Sequence, residues 1–278
     1  MMAGSSGLGL HIDHTHLPTL ERLEPTPVSY AVSSDEFKNL PREWSLDIPA
    51  RSQASFSSCV GGGLSGCFEH SNMLETGEFI RRSMWQAYIS SQRMCGMVGR
   101  DNGATLQGAL KAANEIGVCR NDLCPMPNSY TTNIPQAALD DAAKHRHSEV
   151  TWDARPWLKA VDWATDRKPI LIGGLWTDRH SGLNKNNPIE KPSIYSGSSL
   201  GYHCRYVCGF IFINDKLHLK VRNTHGDDFG LHGVSYIPEE TWAVLCRDPN
   251  FVALVFGDTE EIEPKRKSWK ESKAGDTC

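Results

Sequence analysis

The chain lacks several features that would each have pointed to a class of function. No apolar run approaches the ~18–20 residues that a membrane span needs, so no span is expected. Cationic residues are not in excess: 29 Lys and Arg face 33 Asp and Glu, for a net charge of −4. That balance argues against a nucleic-acid surface as the main function. The first sixteen residues hold no basic stretch followed by an apolar core, so no secretory leader is expected. Reduced thiols in a cytoplasmic setting are the corresponding expectation. The nine cysteines are an odd number, which argues for few or no disulfides. No second pair complements Cys119 and Cys124, or Cys204 and Cys208, as a closed zinc site would need. His11, His14 and His16 are loosely spaced, with only Asp13 beside them, and read as an interaction arm. No metal and no cofactor is expected.

What is present suits a globular protein. The 278 residues, 39% hydrophobic and 22% charged, suffice for one large domain or two lobes with a sizeable core. Helical signals come first. A helix is expected from Cys59 to about Glu75, a second over 78–94 after a break at Gly77, a third over 105–116 stopped by Gly117, and a fourth over 134–144. His145 and His147 are expected at the surface beyond it. Strand signals follow: apolar runs at 169–176, 206–213 and 251–256, with Asn214-Asp215 as a turn before 216–221. Helices first and strands later predict an α+β protein of two lobes, with a cleft between them. Residues 1–27 read as an N-terminal extension, 28–258 as the domain and 259–278 as a charged tail. The extension and the tail are candidate docking arms for assembly partners.

Four polar residues carry chemistry. Cys59 follows Gln53 by six positions, His203 lies 144 further on, and Asn223 follows twenty after that. A thiol is a strong nucleophile as the thiolate, and a neighbouring imidazole can hold the proton. An asparagine carbonyl can orient the imidazole. The Gln53 amide, with the Cys59 backbone N–H, can donate to a developing oxyanion. A helix beginning at Cys59 would add its positive end.

In this order and spacing the chain resembles the papain-like cysteine peptidases, the C1 family, and is most similar to its bacterial and phage members. The resemblance runs from about Leu40 to Phe256. Leu40-Pro41-Arg42-Glu43-Trp44 resembles the opening of the mature enzymes. Asp101-Asn102-Gly103-Ala104 resembles the stretch that lines their substrate cleft. His203 to Phe210 and Asn223 to Gly233 resemble the strand and loop carrying His and Asn. The resemblance implies a helical lobe and an antiparallel sheet or barrel lobe. It also implies a peptide or protein substrate, met by Asn102, Gly103, Ala104 and Trp176. No nucleic acid or membrane partner is implied.

The departures set further expectations. His225 stands where the family has a tryptophan shielding the His–Asn bond, so that bond is expected to be open to water, and His225→Trp to raise activity. Gly61-Gly62-Gly63 lies in the first turns of the expected catalytic helix, where each glycine costs roughly 1 kcal/mol against alanine. Both suggest relaxed constraint and the alternative of a papain-fold structural component, virion-associated for instance, with weak or no catalysis. Only 52 residues precede Gln53, so a full helical prosegment, and control by its removal, are not expected.

Overall fold

The computed structural model describes residues 9–11, 40–147, 150–256 and 259–260. The helices are α1 (Cys59–Thr76), α2 (Met84–Met94), α3 (Leu106–Glu115), α4 (Gln136–Ala142), α5 (Trp157–Thr165) and α6 (Glu239–Arg247). The strands begin with β1 (Leu10–His11), β2 (Glu43–Ser45), β3 (Ala104–Thr105), β4 (Arg146–His147) and β5 (Val150–Asp153). They continue with β6 (Ile170–Thr177), β7 (Ser199–Ile213), β8 (Lys216–Arg222), β9 (Val234–Pro238), β10 (Val252–Phe256) and β11 (Thr259–Glu260). The α+β expectation holds. One apolar cluster lies among α1, α2, α3 and the facing side of the sheet, and a second lies on the other side of the sheet under α5 and α6.

Helix α1 is buried without a break from Cys59 to Asn72. A helix covered on all sides needs small residues where neighbours cross, and here the glycines supply them. A Cβ on Gly61 would lie 2.7 Å from both the Cβ and the N of Tyr88, and closer still to the Met84 carbonyl. A Cβ on Gly63 would lie 2.7 Å from Leu171 and 2.9 Å from the Cys204 sulfur. The triple glycine is therefore where α2 and the sheet approach the helix, which corrects its reading as relaxed constraint. Gly61→Ala is expected to destabilise the fold by about 1–2 kcal/mol: overpacking costs roughly 1–3, less up to ~1 regained in helix propensity. A fall in the urea midpoint at unchanged m-value checks this.

Gly77 ends α1 in the left-handed conformation at φ 74°, and its N–H donates to the Met73 carbonyl. The second helix starts later than the sequence suggests. Residues 78–82 are drawn instead to Glu69, a fully buried carboxylate in α1: the Arg82 N–H donates to it at 2.8 Å, and Arg51 and Arg81 pair with it. Ser83 then caps α2 through its hydroxyl, and Thr105 caps α3 the same way.

In the sheet, β3, β1, β7, β6, β10 and β5 lie side by side; β2 and β8 also pair with β7, and β9 with β8. Strand β7 begins seven residues earlier than its apolar run, because the polar stretch through His203 and Arg205 pairs with β6. From Tyr206 onward it pairs with β8, through a register shift between Val207 and Gly209. Strand β8 ends at Arg222, opposite Tyr206, so Asn223 emerges near His203. Short β2 and β9 and helices α5 and α6 were not foreseen. His147, expected at the surface, is buried against Phe68 and Phe256. Within the expected tail, β11 pairs with β4, and within the expected extension, β1 is a strand of the main sheet. His14, His16 and the rest of both arms lie outside the described residues.

Candidate active site

Cys59 is the first residue of α1, and its side chain is fully buried. Backbone groups of Cys204, Gly9 and Val60 lie about its thiol and act to lower its pKa. The nucleophile expected from sequence thus sits beside the residue that follows His203. Gln53 is held in the loop that leads to it. The Gln53 N–H donates to the Thr224 carbonyl at 2.8 Å, Gly226 N–H donates to Arg51 O at 2.9 Å, and Ser52 bridges His225. The Gln53 Oε1 accepts from Thr224 Oγ1 at 2.5 Å, and its Nε2 donates to Phe56 O at 2.7 Å. One of its two amide hydrogens is therefore engaged within the loop.

His203 and Asn223 meet at 2.8 Å, Nε2 to Oδ1. Asn223 Oδ1 also accepts the Thr224 backbone N–H at 2.7 Å, which fixes which amide atom faces the ring. A carbonyl oxygen only accepts, so Nε2 carries the proton of the neutral imidazole. Nδ1 then keeps its lone pair, and it is buried without a hydrogen-bond partner among the described residues.

The His–Asn bond is dry, contrary to expectation: Asn223 is 0% and His203 1% exposed. His225 stacks on His203 with ring centroids 4.7 Å apart and planes at 12°. Trp176, from β6, lies 4.5 Å from His203, with Phe229 packed against it. Two rings from different elements thus supply the cover. His225→Trp is accordingly expected to add nothing. Asn223→Ala is expected to lower turnover roughly 10- to 150-fold, because a desolvated bond to a group that becomes charged is worth about 1.5–3 kcal/mol. Single-turnover hydrolysis of a fluorogenic peptide measures it.

Burial dominates the electrostatics. It pushes the Cys59 thiol up to about 11, against those backbone groups. It takes His203 well below the usual imidazole range; His225 adds to this and the Asn223 bond opposes it. It also brings His225 and His180 down to about 4. In this form the pair is a neutral thiol and a neutral imidazole.

Beside Cys59 lies the segment Gly9–His11, which the sequence reading placed outside the domain. Leu10 and His11 pair in parallel with Ala104 and Thr105, and Leu10 pairs antiparallel with Tyr202. The Ala104 N–H donates to Gly9 O at 2.7 Å, and His11 Nε2 bonds Asn102 O. Gly9 lies against Ser57 so closely that a Cβ would come within 2.8 Å of its Cα and nearer still to its carbonyl. Leu10 and Leu106 occupy the space that a side chain at Gly173 would take. Three residues paired as a strand thus lie beside Cys59 in the sheet.

Asn102, Gly103 and Ala104, the expected substrate-binding stretch, are the residues that bind this segment. Asp101 clamps them in place. It accepts the Ser57 N–H at 3.0 Å and the Tyr88 hydroxyl at 2.8 Å, and that hydroxyl accepts the Gly103 N–H at 3.0 Å. Trp176 faces His203 and is buried in a cluster with Leu183, Ile194 and Phe229. The sequence reading missed the groups next to Trp176: His180, Glu190, Tyr195 and Arg205. One signal existed. Arg205 is two residues from His203 on a buried strand, and a cation there requires a partner. Nothing local marks Glu190 as that partner.

Eight cysteines fall among the described residues, and all are free thiols. Among those residues no cluster of His, Cys, Asp and Glu could hold a metal ion, and no helix is long and apolar enough to cross a membrane.

No family model matches the sequence, and no curated protein matches it. Solved structures do. Xylellain, a cysteine protease from Xylella fastidiosa, superposes with a TM-score of 0.72 at 17% identity, over 92% of this chain and 97% of that one. The procathepsin B S9 of Trypanosoma congolense gives 0.63 at 18% identity, over 92% and 87%. Procathepsin L 3 of Tenebrio molitor larval midgut gives 0.60 at 12%, over 91% and 76%. The chain has the papain-like fold.

Proposed function

We propose that the protein is a papain-like cysteine peptidase whose own Gly9–His11 segment lies across the nucleophile. The observation that carries this reading is the His203–Asn223 bond. It directs the imidazole's proton to Nε2 and leaves a buried, unpartnered Nδ1 to take the proton of a thiol. Cys59 attacks the carbonyl carbon of a peptide bond as thiolate, and its proton passes to His203 Nδ1. The oxygen that becomes negative is met by the Cys59 N–H and the Gln53 amide. His203 returns the proton to the leaving amine, which departs as the acyl-enzyme forms. Water, deprotonated by the same imidazole, then hydrolyses the thioester.

Substrate binds as a strand. The Ala104 N–H that now bonds Gly9 O and the Tyr202 backbone that pairs with Leu10 are free to pair with an incoming peptide once the segment leaves. A large apolar side chain two or so residues from the scissile bond fits the space floored by Gly173 and Leu106, as Leu10 does now. Xylellain is a cysteine protease and the two superposed cathepsins are procathepsins, in agreement with both halves of the reading.

A papain-fold component without catalysis loses its two arguments, because the glycines serve packing and the His–Asn bond is covered. The test is labelling by a peptide-like thiol electrophile, read by mass spectrometry on the intact full chain. One adduct, mapped to Cys59 and slowed by competing peptide, is expected. Equal labelling of several cysteines, or none at Cys59 after long incubation, would sink the proposal.

A further inference from the structure

Next to Trp176 lies a fully buried ion pair that the catalytic residues do not themselves require. Arg205 Nη1 bonds Glu190 Oε1, and both side chains are 3% exposed or less. Glu190 also accepts from Tyr195 at 2.5 Å and from Ser235 at 2.5 Å. The Arg205 guanidinium lies 5.2 Å from the centre of the Trp176 ring. The His180 ring stacks on Trp176 at 3.8 Å and 20°, and His203 lies 4.5 Å from it. The cation and the imidazole therefore share one aromatic neighbour and are separated by no more than about 10 Å.

Burying an ion pair is costly, and a pair that only stabilised the fold could be replaced by apolar groups without loss. Placed here, it has a second consequence. We propose that Glu190 and Arg205 form a positioning pair for His203: Arg205 holds Trp176 against the imidazole, and Glu190 balances the charge that does so. The inference rests on the peptidase reading and adds to it two residues that touch neither substrate nor nucleophile.

The charges act on His203 with a definite sign. His203 must carry a proton while Cys59 is thiolate. The groups that act on it are His180 and Trp176 from β6 and the turn after it, Arg205 on its own strand, and Asn223 and His225 beyond β8. Of these, Arg205 is the permanent cation, and its field disfavours the imidazolium. Glu190, bonded to Arg205, carries the charge that opposes that field, and Arg205 in turn holds the Glu190 carboxyl below its ordinary value although burial acts to raise it. With Glu190 neutralised, an uncompensated cation within about 10 Å lowers the imidazolium's pKa by about one pH unit at an effective dielectric of ~20.

The experiment is the pH dependence of Cys59 carboxymethylation by iodoacetate on the full chain. This anionic reagent needs the thiolate and is favoured by an adjacent imidazolium, so the rate is bell-shaped where the pair exists, whether or not a peptide is cleaved. The occluding segment slows all variants alike and leaves the limbs in place. In Glu190→Gln the alkaline limb is expected about one unit lower, at an effective dielectric of ~20, while Glu190→Asp restores it. Arg205→Lys keeps the charge but loses the flat guanidinium; its limbs should stay put while the plateau rate falls several-fold. Limbs and plateau at parent values in both Glu190→Gln and Arg205→Lys overturn the proposal. Should Glu190→Gln fail to fold, the Arg205→Lys plateau decides alone. A parent without a bell overturns the peptidase reading, and this inference with it. A bell in the parent that no variant moves overturns this inference only.

Discussion

Replacing Gly9 with valine is expected to raise the rate of Cys59 labelling, and of peptide cleavage, by roughly 5- to 150-fold. The figure is the equivalent of about 1–3 kcal/mol of overpacking placed on one side of an opening equilibrium. Gly9 rests on the Ser57 backbone, where a Cβ finds no room and where backbone cannot swing aside as a side chain tip would. The Ala104 N–H to Gly9 O bond would be broken with it. The closed form cannot react: its nucleophile is fully buried, and the thiol is held up at about 11. Opening restores water to Cys59, which removes the main cause of its shift and lets the thiolate form. The check is intact-mass labelling of the two full-length proteins side by side, with urea midpoints measured on both. Equal rates would mean that the segment leaves freely or that valine is accommodated. The rate rising together with general unfolding would mean that the fold, not the cleft, had opened.

Cys59→Ala is expected to abolish cleavage in the same Gly9→Val background. Loss of a nucleophile leaves only what the oxyanion groups and binding provide, a residual ~10³–10⁴-fold over water that a turnover assay does not register. Cys204 is fully buried too, but its sulfur lies under α1 at Gly63, where departure of the Gly9–His11 segment does not uncover it, so it cannot substitute. The variant should fold normally, since the thiol is a small group at the helix start and alanine is a good helix former. Cleavage that persists in a well-folded Cys59→Ala protein would overturn the assignment of the nucleophile.

Much of this site was legible in one dimension. The spacing of Gln53, Cys59, His203 and Asn223 and the motif around each located the candidate groups. The turn glycine at 77 and the apolar periodicity located the helix that starts at Cys59. Such signals are local: a cap, a turn or a period is written within a few residues, and the backbone obeys it before any tertiary contact forms. The exposed His–Asn bond was a mistaken expectation of the same local kind. It assumed that the cover must come from the residue after the asparagine, whereas stacking of His225 and Trp176 closes the site from two elements.

The sequence by itself determined the chemical identities, their order and the α+β plan. Only the tertiary structure decided which of those groups meet water, which charges pair, and what fills the cleft. Residues 9–11 lie more than ninety positions from the strand they join, and Glu190 reaches Arg205 across fifteen positions and a change of direction. Contacts of that kind are selected by total burial and by satisfaction of every buried polar group, which are properties of the packed chain and not of any window within it.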